Sequence, residues 1–135
     1  MFNILRPLIF KFSPEVAHSL AIKALKLNNI PYSKPKDNHI LETTFCEKKL
    51  SSPIGVAAGF DKNAEVYNPL FNLGFGFVEV GTITPKPQFG NPKPRVFRLE
   101  EDEALINRLG FNNYGSEQIS KRIKENNKKG FLGIN

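Results

Sequence analysis

The sequence predicts an α/β protein that begins a (β/α)8 barrel (TIM barrel), preceded by two short amphipathic helices. Short apolar runs at residues 54–58, 75–80 and 131–135 are typical of strands buried in a parallel sheet. Residues 64–73 and 115–128 have helical spacing and lie between these runs. The order strand, helix, strand, insert, helix, strand indicates parallel strands joined by right-handed crossovers.

A barrel fits this order better than an open nucleotide-binding sheet. No Gly-x-Gly-x-x-Gly follows the first strand, and no Gly-x-x-x-x-Gly-Lys-Ser/Thr is present. A complete barrel needs about 250 residues, so the 135 residues here would supply only its first three strands. The last apolar run has no turn or polar tail after it, and we therefore expect that the chain stops before the barrel is complete.

Charge and composition restrict the classes of partner. Nineteen Lys and Arg against thirteen Asp and Glu give a net charge of +6, which favours anionic partners or serves solubility alone. A single cysteine, Cys46, excludes an internal disulfide, and we expect it to be a small buried apolar residue. The sequence has no stretch of about 18 apolar residues, so it predicts no transmembrane helix, and no secretory signal is recognisable. These features predict a cytoplasmic, bacterial protein.

Two amphipathic helices are predicted within residues 1–31. Apolar side chains in residues 1–12 recur on one helical face, although Pro7 weakens the helix. The Ser-Pro-Glu segment at residues 13–15 starts the second helix with an N-cap hydroxyl and a first-turn acid, and the helix ends near Asn28. The pair is either a helical hairpin packed on its own domain or a pair that lies on a membrane surface.

A polar linker at residues 32–38 separates the helix pair from the barrel segment at residues 39–135. Residues 40–46 are predicted to form a strand and residues 47–49 a turn, which together make a small hairpin. The insert after the second barrel strand is predicted to hold two more short strands, at residues 95–99 and 104–108.

Polar and small residues gather at the carboxyl ends of the predicted barrel strands, where barrels place their active sites. Small residues at 57–59 would let a flat ring approach the backbone, and Lys62 would bring a positive charge to the same place. Thr82, Asn107 and Asn112 add uncharged donors and acceptors. This combination suits a flavin and a small anion.

Each of these residues also has an ordinary structural explanation. Gly59 suits a plain turn, Lys62 an exposed loop, and residues 112–113 (Asn-Asn) a change of chain direction. His18 falls inside the second helix, where a lone histidine is usually a surface or core residue. Two histidines and one cysteine at these spacings match no metal-ligand pattern, so no metal site is expected.

Several runs together resemble the class 2, quinone-dependent dihydroorotate dehydrogenases. The similarity extends from about Ser13 to the end of the chain, and the runs that carry it are IGVAAGFDK at 54–62, GFGFVEVGTITPKPQ at 74–88, GNPKPRVFRL at 90–99, INRLGFNN at 106–113 and LGIN at 132–135. Their length and order make this resemblance far more specific than any single short motif.

The resemblance implies an FMN enzyme that oxidises dihydroorotate to orotate in pyrimidine (UMP) synthesis and passes the electrons to a membrane quinone. The residues that would contact FMN are Ala58, Gly59, Phe60, Asp61, Lys62, Thr82 and Asn135. Those that would hold dihydroorotate or orotate are Lys62, Asn107, Arg108, Leu109, Gly110 and Phe111. His18 and Arg98 match positions near the quinone head group. The helix pair would rest peripherally on the cytoplasmic side of the bacterial inner membrane, and no nucleic acid is implied.

The chain departs from the family's pattern because its catalytic base is absent. In the family this base is a serine beyond the third strand, and no residue here matches it; the piece alone would therefore be inactive. Class 1 relatives use a cysteine, but Cys46 precedes the first barrel strand. Two alternatives remain: another FMN barrel, such as a tRNA dihydrouridine synthase, and a non-enzymatic membrane-surface module.

Overall fold

Two helices open the chain, as predicted. The computed structural model describes residues 2–27, 39–126 and 130–135, and contains helices α1 (Phe2–Phe10) and α2 (Pro14–Lys26). Ser13 precedes α2, but its hydroxyl makes no capping hydrogen bond; its carbonyl accepts one from the amide of Ala17 instead. The predicted linker at 32–38 and the helix end near Asn28 lie outside the described residues. Within those residues, none of the helices has the length and apolar content that a membrane crossing requires.

A small antiparallel hairpin follows, with strands β1 (Thr43–Phe45) and β2 (Lys48–Leu50). The hairpin was predicted, but its details differ, because residues His39–Leu41 form a 3-10 turn and the connecting turn lies at Cys46 and Glu47. Both turn residues have positive φ, which keeps the turn to two residues and leaves Lys48 and Lys49 in the strand. The prediction of a buried Cys46 is wrong, since this tight turn leaves the thiol exposed.

Three parallel strands form the central sheet, in the order β3 (Gly55–Val56), β4 (Phe77–Val80) and β7 (Phe131–Ile134). Val56 pairs with Val78, and Val80 pairs with Ile134. The predicted strand, helix, strand order is confirmed, but β3 is shorter than expected, with Ile54 64% exposed before it.

Two helices and an antiparallel hairpin connect these strands. Helix α3 (Tyr67–Asn72) joins β3 to β4 and starts three residues later than predicted, since Ala64 has a φ of 52°, outside the helical region. The insert after β4 forms the expected hairpin of β5 (Val96–Leu99) and β6 (Ala104–Asn107). Helix α4 (Ser116–Glu125) then leads to β7; its predicted end at residue 128 lies outside the described residues.

The core lies between β4 and the helices. Val78 and Val80 of β4 are fully buried and belong to one apolar cluster with side chains from every helix except α1, namely Leu25, Tyr67, Leu70 and Ile119. Because the three strands are parallel, this core places their carboxyl ends at one edge of the sheet.

Candidate functional site

Backbone hydrogen bonds join the loops that follow the three parallel strands. The amide of Gly59 donates to the carbonyl of Gly81 at 2.8 Å, and the amide of Gly81 donates to the carbonyl of Asp61 at 3.2 Å. The amide of Ile83 donates to the carbonyl of Asn135 at 2.8 Å. The predicted site residues 58–62, Thr82 and Asn135 are therefore brought to one edge, as the sequence indicated.

Gly59 has open space beside its backbone at this edge. Its φ is 108°, a conformation that side chains rarely adopt, and a Cβ built on it would meet no atom within 4 Å. The backbone here therefore faces free space that a flat ring could approach, which supports the prediction made from the small residues at 57–59. By contrast, a Cβ on Gly81 would lie 2.5 Å from the carbonyl oxygen of Asn135. The close packing of these loops therefore requires glycine at position 81.

Lys62 lies beside this open backbone. Its ammonium donates a hydrogen bond to the carbonyl of Gly59 at 2.7 Å, which uses one of its three N–H groups. Burial lowers the pKa of Lys62, while the negative charges of Glu15 and Asp61 oppose that shift and Arg95 adds to it. Lys62 is thus a partly desolvated cation and not the exposed loop lysine of the ordinary structural explanation.

Asp61 is buried, and its carboxylate serves the fold. One oxygen accepts the amide of Glu65 at 2.7 Å and the other the amide of Val66 at 2.8 Å, just before α3. Burial raises the pKa of Asp61, although these backbone hydrogen bonds favour the charged form and lower it in part. The Asp61 side chain thus binds the start of α3, whereas the backbone carbonyl of Asp61 accepts the hydrogen bond from the Gly81 amide.

A cleft of about 860 Å³ separates α2 from the strand-end loops and the β5–β6 hairpin. It brings together many of the predicted site residues, whose side chains or backbone line it: His18, Gly59, Phe60, Asp61, Lys62, Arg98, Asn107 and Leu109. The other predicted residues do not line it: Ala58, Thr82, Arg108, Gly110, Phe111 and Asn135. Arg108 donates to the carbonyl of Pro94, and Phe111 is 63% exposed.

His18 and Arg98 each tie the helix pair to the rest of the structure. Nε2 of His18 lies 2.6 Å from the carbonyl oxygen of Phe60, and the two rings meet edge to face at 5.3 Å. Arg98 donates to the carbonyl of Phe12 at 2.8 Å and stacks over the ring of Phe10 at 4.4 Å. His18 is therefore neither an isolated surface histidine nor a core residue, since it lies in the cleft wall.

The structure adds residues to the cleft that the sequence did not single out. Arg95 is 7% exposed and donates twice to one carboxylate oxygen of Glu15, at 3.0 and 2.8 Å. Eighty positions separate the two residues, so no local pattern could have revealed the pair. Asn113 is also buried; its side-chain amide donates to the hydroxyl of Thr84 and accepts from the amide of Gly115. These contacts agree with the structural explanation given above, in which the Asn-Asn pair changes the direction of the chain.

Asn112 differs from its neighbour. Its amide oxygen is buried and has no hydrogen-bond partner within the described part of the chain, yet the residue lines the cleft. A buried acceptor without a donor is costly, so a ligand N–H would find a ready partner here. Across the same described residues, His, Cys, Asp and Glu side chains form no group of three or more that could hold a metal ion.

Comparisons with known proteins agree on one family. The family model described as dihydroorotate dehydrogenase matches residues 40–135. A protein of Rhodospirillum rubrum named dihydroorotate dehydrogenase (quinone) is 52% identical over 96% of this chain and 35% of its own length. A protein of the same name from Erythrobacter litoralis is 50% identical over 100% of this chain and 39% of its own length. The chain therefore spans little more than a third of these relatives.

Solved structures give the same result for the fold. The crystal structure of the Eimeria tenella enzyme DHODH in complex with ferulenol superposes with a TM-score of 0.83 at 42% identity, over 90% of this chain and 35% of that one. The ligand-free structure from the same organism gives 0.84 at 42% identity, over 91% and 36%. These likenesses support the predicted TIM-barrel fold for the α/β part. With the family model matching 96 of 135 residues (40 to 135), this chain belongs to the dihydroorotate dehydrogenase family.

Proposed function

We propose that the whole protein oxidises dihydroorotate to orotate in pyrimidine synthesis, with FMN as its cofactor and a membrane quinone as electron acceptor. The observation that carries this proposal is the placement of Lys62, a partly desolvated cation next to the open backbone of Gly59, in a cleft that also reaches His18 and Arg98. Family membership sets aside the tRNA dihydrouridine synthase alternative.

The residues present fit a flavin. The open face at Gly59 suits a flat ring, and the N–H groups of Lys62 not used by the Gly59 carbonyl would face it. Thr82 and Asn135 are linked at the same edge by a hydrogen bond of 2.6 Å, which holds two polar groups ready for the ring's polar rim. When bound, FMN supplies a two-electron acceptor for the substrate's hydride. The remaining predicted FMN residues, Ala58, Phe60 and Asp61, would contribute mainly backbone.

Substrate binding is assigned to the same edge. Lys62 would attract the carboxylate of dihydroorotate, because a partly desolvated ammonium binds an anion more strongly than an exposed one. Asn107 and the segment that follows it, through Arg108, Leu109 and Gly110 to Phe111, would present amide and backbone groups to the ring's imide edge. Oδ1 of Asn112, which has no donor among the described residues, could accept one of the ring's N–H groups.

The quinone is assigned to the part of the cleft walled by α2. His18 and Arg98 line this part of the cleft. His18, on α2, contacts the carbonyl of Phe60 in the loop after β3, and Arg98 donates to the carbonyl of Phe12 between α1 and α2. We also propose that residues 1–31 form a peripheral membrane segment on the cytoplasmic side of the bacterial inner membrane, followed by a linker at 32–38 and the barrel segment at 39–135. Exposed apolar side chains on α1 support this, with Ile4 81% and Leu8 57% exposed.

The test is made on the protein expressed from the complete reading frame. We expect purified protein to carry FMN and to reduce a quinone when dihydroorotate is added. Lys62→Ala should lower turnover at least a hundredfold, because the substrate carboxylate loses its cation. Lys121→Ala is the matched control, since Lys121 is exposed and pairs only loosely with Glu125 at 3.9 Å. Protein without flavin, or a Lys62→Ala variant as active as the control, would refute the proposal.

A further inference from the structure

An ion pair between the buried Arg95 and the partly buried Glu15 joins α2 to the insert on the opposite side of the cleft. Nε and one terminal nitrogen of Arg95 donate to Oε1 of Glu15, at 3.0 and 2.8 Å. The other terminal nitrogen donates to the carbonyls of Phe89 and Asn91, at 2.7 and 3.0 Å. The guanidinium therefore joins two segments, the first turn of α2 and the loop after β4, to the position just before β5 where Arg95 lies.

This pair is less exposed than the pair that Lys121 and Glu125 form on α4. The side chains of Arg95 and Glu15 are 8% and 21% exposed, whereas those of Lys121 and Glu125 are 77% and 63% exposed. An exposed pair is screened by water and salt and holds no fixed geometry. A buried pair keeps its geometry, because breaking it would leave a charge without a partner in a poorly solvated place.

The position of the pair relates it to one half of the cleft. Glu15 lies one helical turn before His18, which contacts the carbonyl of Phe60. Arg95 lies three residues before Arg98, which holds the carbonyl of Phe12. The pair and the Arg98 contact join α2 and the residue Phe12 before it to β5 and its preceding loop, the His18 contact joins α2 to the loop after β3, and all four residues line the cleft.

We propose that Glu15 and Arg95 are positioning residues that set the width of the quinone part of the cleft. They would act on the acceptor through the placement of α2, and not on the oxidation of dihydroorotate, whose residues lie on the strand-end loops. This inference rests on the proposed function, because it assumes that the part of the cleft lined by His18 and Arg98 receives the quinone.

The experiment separates the two half-reactions in the FMN-loaded protein expressed from the complete reading frame. Glu15→Gln keeps the shape of the side chain and removes its charge. We expect it to raise the KM for a short-chain ubiquinone analogue about tenfold. The Glu15 charge also favours the protonated form of Lys62, so flavin reduction is measured well below the lowered pKa of Lys62, where that lysine stays charged in both proteins. There, rapid-mixing measurements should show flavin reduction by dihydroorotate within about twofold of the wild type. Turnover with a small water-soluble dye as acceptor should also stay within twofold. Glu125→Gln, which breaks the exposed pair, is the control and should change none of these rates.

Several outcomes would overturn the inference. If Glu15→Gln slows flavin reduction and quinone reduction equally, the pair has a general structural role; if neither changes, it has no role in acceptor binding. Should Glu15→Gln not fold, Glu15→Asp retains the charge with a shorter reach, and it must still raise the quinone KM about threefold with flavin reduction unchanged. Failure of the proposed function is a separate result, because it would appear as a wild type that does not reduce its flavin with dihydroorotate.

Discussion

The hydroxyl of Thr82 donates a hydrogen bond to Oδ1 of Asn135 at 2.6 Å, across 53 positions of sequence. Nδ2 of Asn135 in turn donates to a carboxylate oxygen of Glu79 at 3.2 Å, so the amide bridges the end of β4 and the loop that follows it. Backbone hydrogen bonds from Asn135 to Val80 and from Ile83 to Asn135 hold the same place. The polar groups at these strand ends are therefore oriented by the fold alone.

The first prediction concerns this bridge. Thr82→Val keeps the side-chain shape but removes the donor, so Oδ1 of Asn135 loses its partner and the amide is held only by its hydrogen bond to Glu79. We expect FMN to bind about fivefold more weakly, which corresponds to roughly 1 kcal/mol for one hydrogen bond. Thr82→Ser retains the hydroxyl and should bind FMN nearly as the wild type does. Flavin titration of the apoprotein measures both, and equal affinity in the two variants would contradict the prediction.

Much of the barrel segment could be predicted because its signals are local. Apolar runs bounded by glycine and proline indicated the strands, and the order of the elements indicated parallel pairing. The start of α3 was misplaced because residues 64–66 look helical by composition, whereas the Asp61 carboxylate holds the amides of Glu65 and Val66. A capping contact of this kind depends on three-dimensional position, which a pattern of apolar residues does not encode.

The site was predictable to the extent that its residues follow strands. Lys62 and Thr82 lie in the loops that follow β3 and β4, and Asn135 comes directly after β7, so the barrel topology alone places them at one edge. Arg95 and Glu15 could not be found in this way. Arginine before a strand and glutamate in a first helical turn are common, and only the packing of α2 on the insert turns them into a buried pair.

The second prediction is the pH dependence of anion binding at Lys62. Burial lowers its pKa from the ordinary value of 10.5, so the ammonium loses its proton at a lower pH than an exposed lysine. Orotate should therefore bind more weakly as the pH rises through this lowered pKa, whereas Lys62→Arg, which stays charged, should lack this decline. The orotate dissociation constant, measured by flavin absorbance from pH 7 upwards, checks this. Wild-type and Arg curves that run parallel would argue against Lys62 as the anion site.

The same shift has a defined sign for stability. Between the lowered pKa and 10.5 the unfolded chain binds more protons at Lys62 than the folded chain does. The contribution of Lys62 to the free energy of unfolding should therefore rise with pH across that interval and be constant below it. Comparing wild type with Lys62→Met by urea unfolding at several pH values isolates this contribution. A contribution that falls with rising pH would mean that Lys62 is stabilised as a cation.

The third prediction concerns the buried Asp61 carboxylate. Asp61→Ala leaves the amides of Glu65 and Val66 without acceptors at the start of α3, and Val66 is fully buried. We expect a loss of about 2 kcal/mol in the free energy of unfolding. Asp61→Asn keeps one acceptor and should lose about half as much. Asp102→Ala, in the exposed acidic turn, is the matched control and should change little. Equal stability of the Asp61→Ala and Asp102→Ala variants would show that the capping contacts contribute nothing.

The last prediction tests the membrane assignment of the helix pair. Ile4 and Leu8 lie one turn apart on α1 and are 81% and 57% exposed, so an aspartate at both positions would place charges where we propose lipid contact. Burial of each such side chain contributes about 1.5–3 kcal/mol, and we therefore expect flotation with phospholipid vesicles to fall at least about tenfold.

Ile40→Asp supplies the matched control for this flotation experiment. Ile40 is 88% exposed and lies after the linker, so its substitution adds one charge at a position outside α1 and α2. A control that floats like the wild type, beside a double variant that stays in solution, would support α1 as the lipid-facing element. If the Ile4→Asp/Leu8→Asp variant still floats, the exposed face of α1 is not the lipid contact, and the helix pair must be assigned to packing on its own domain instead.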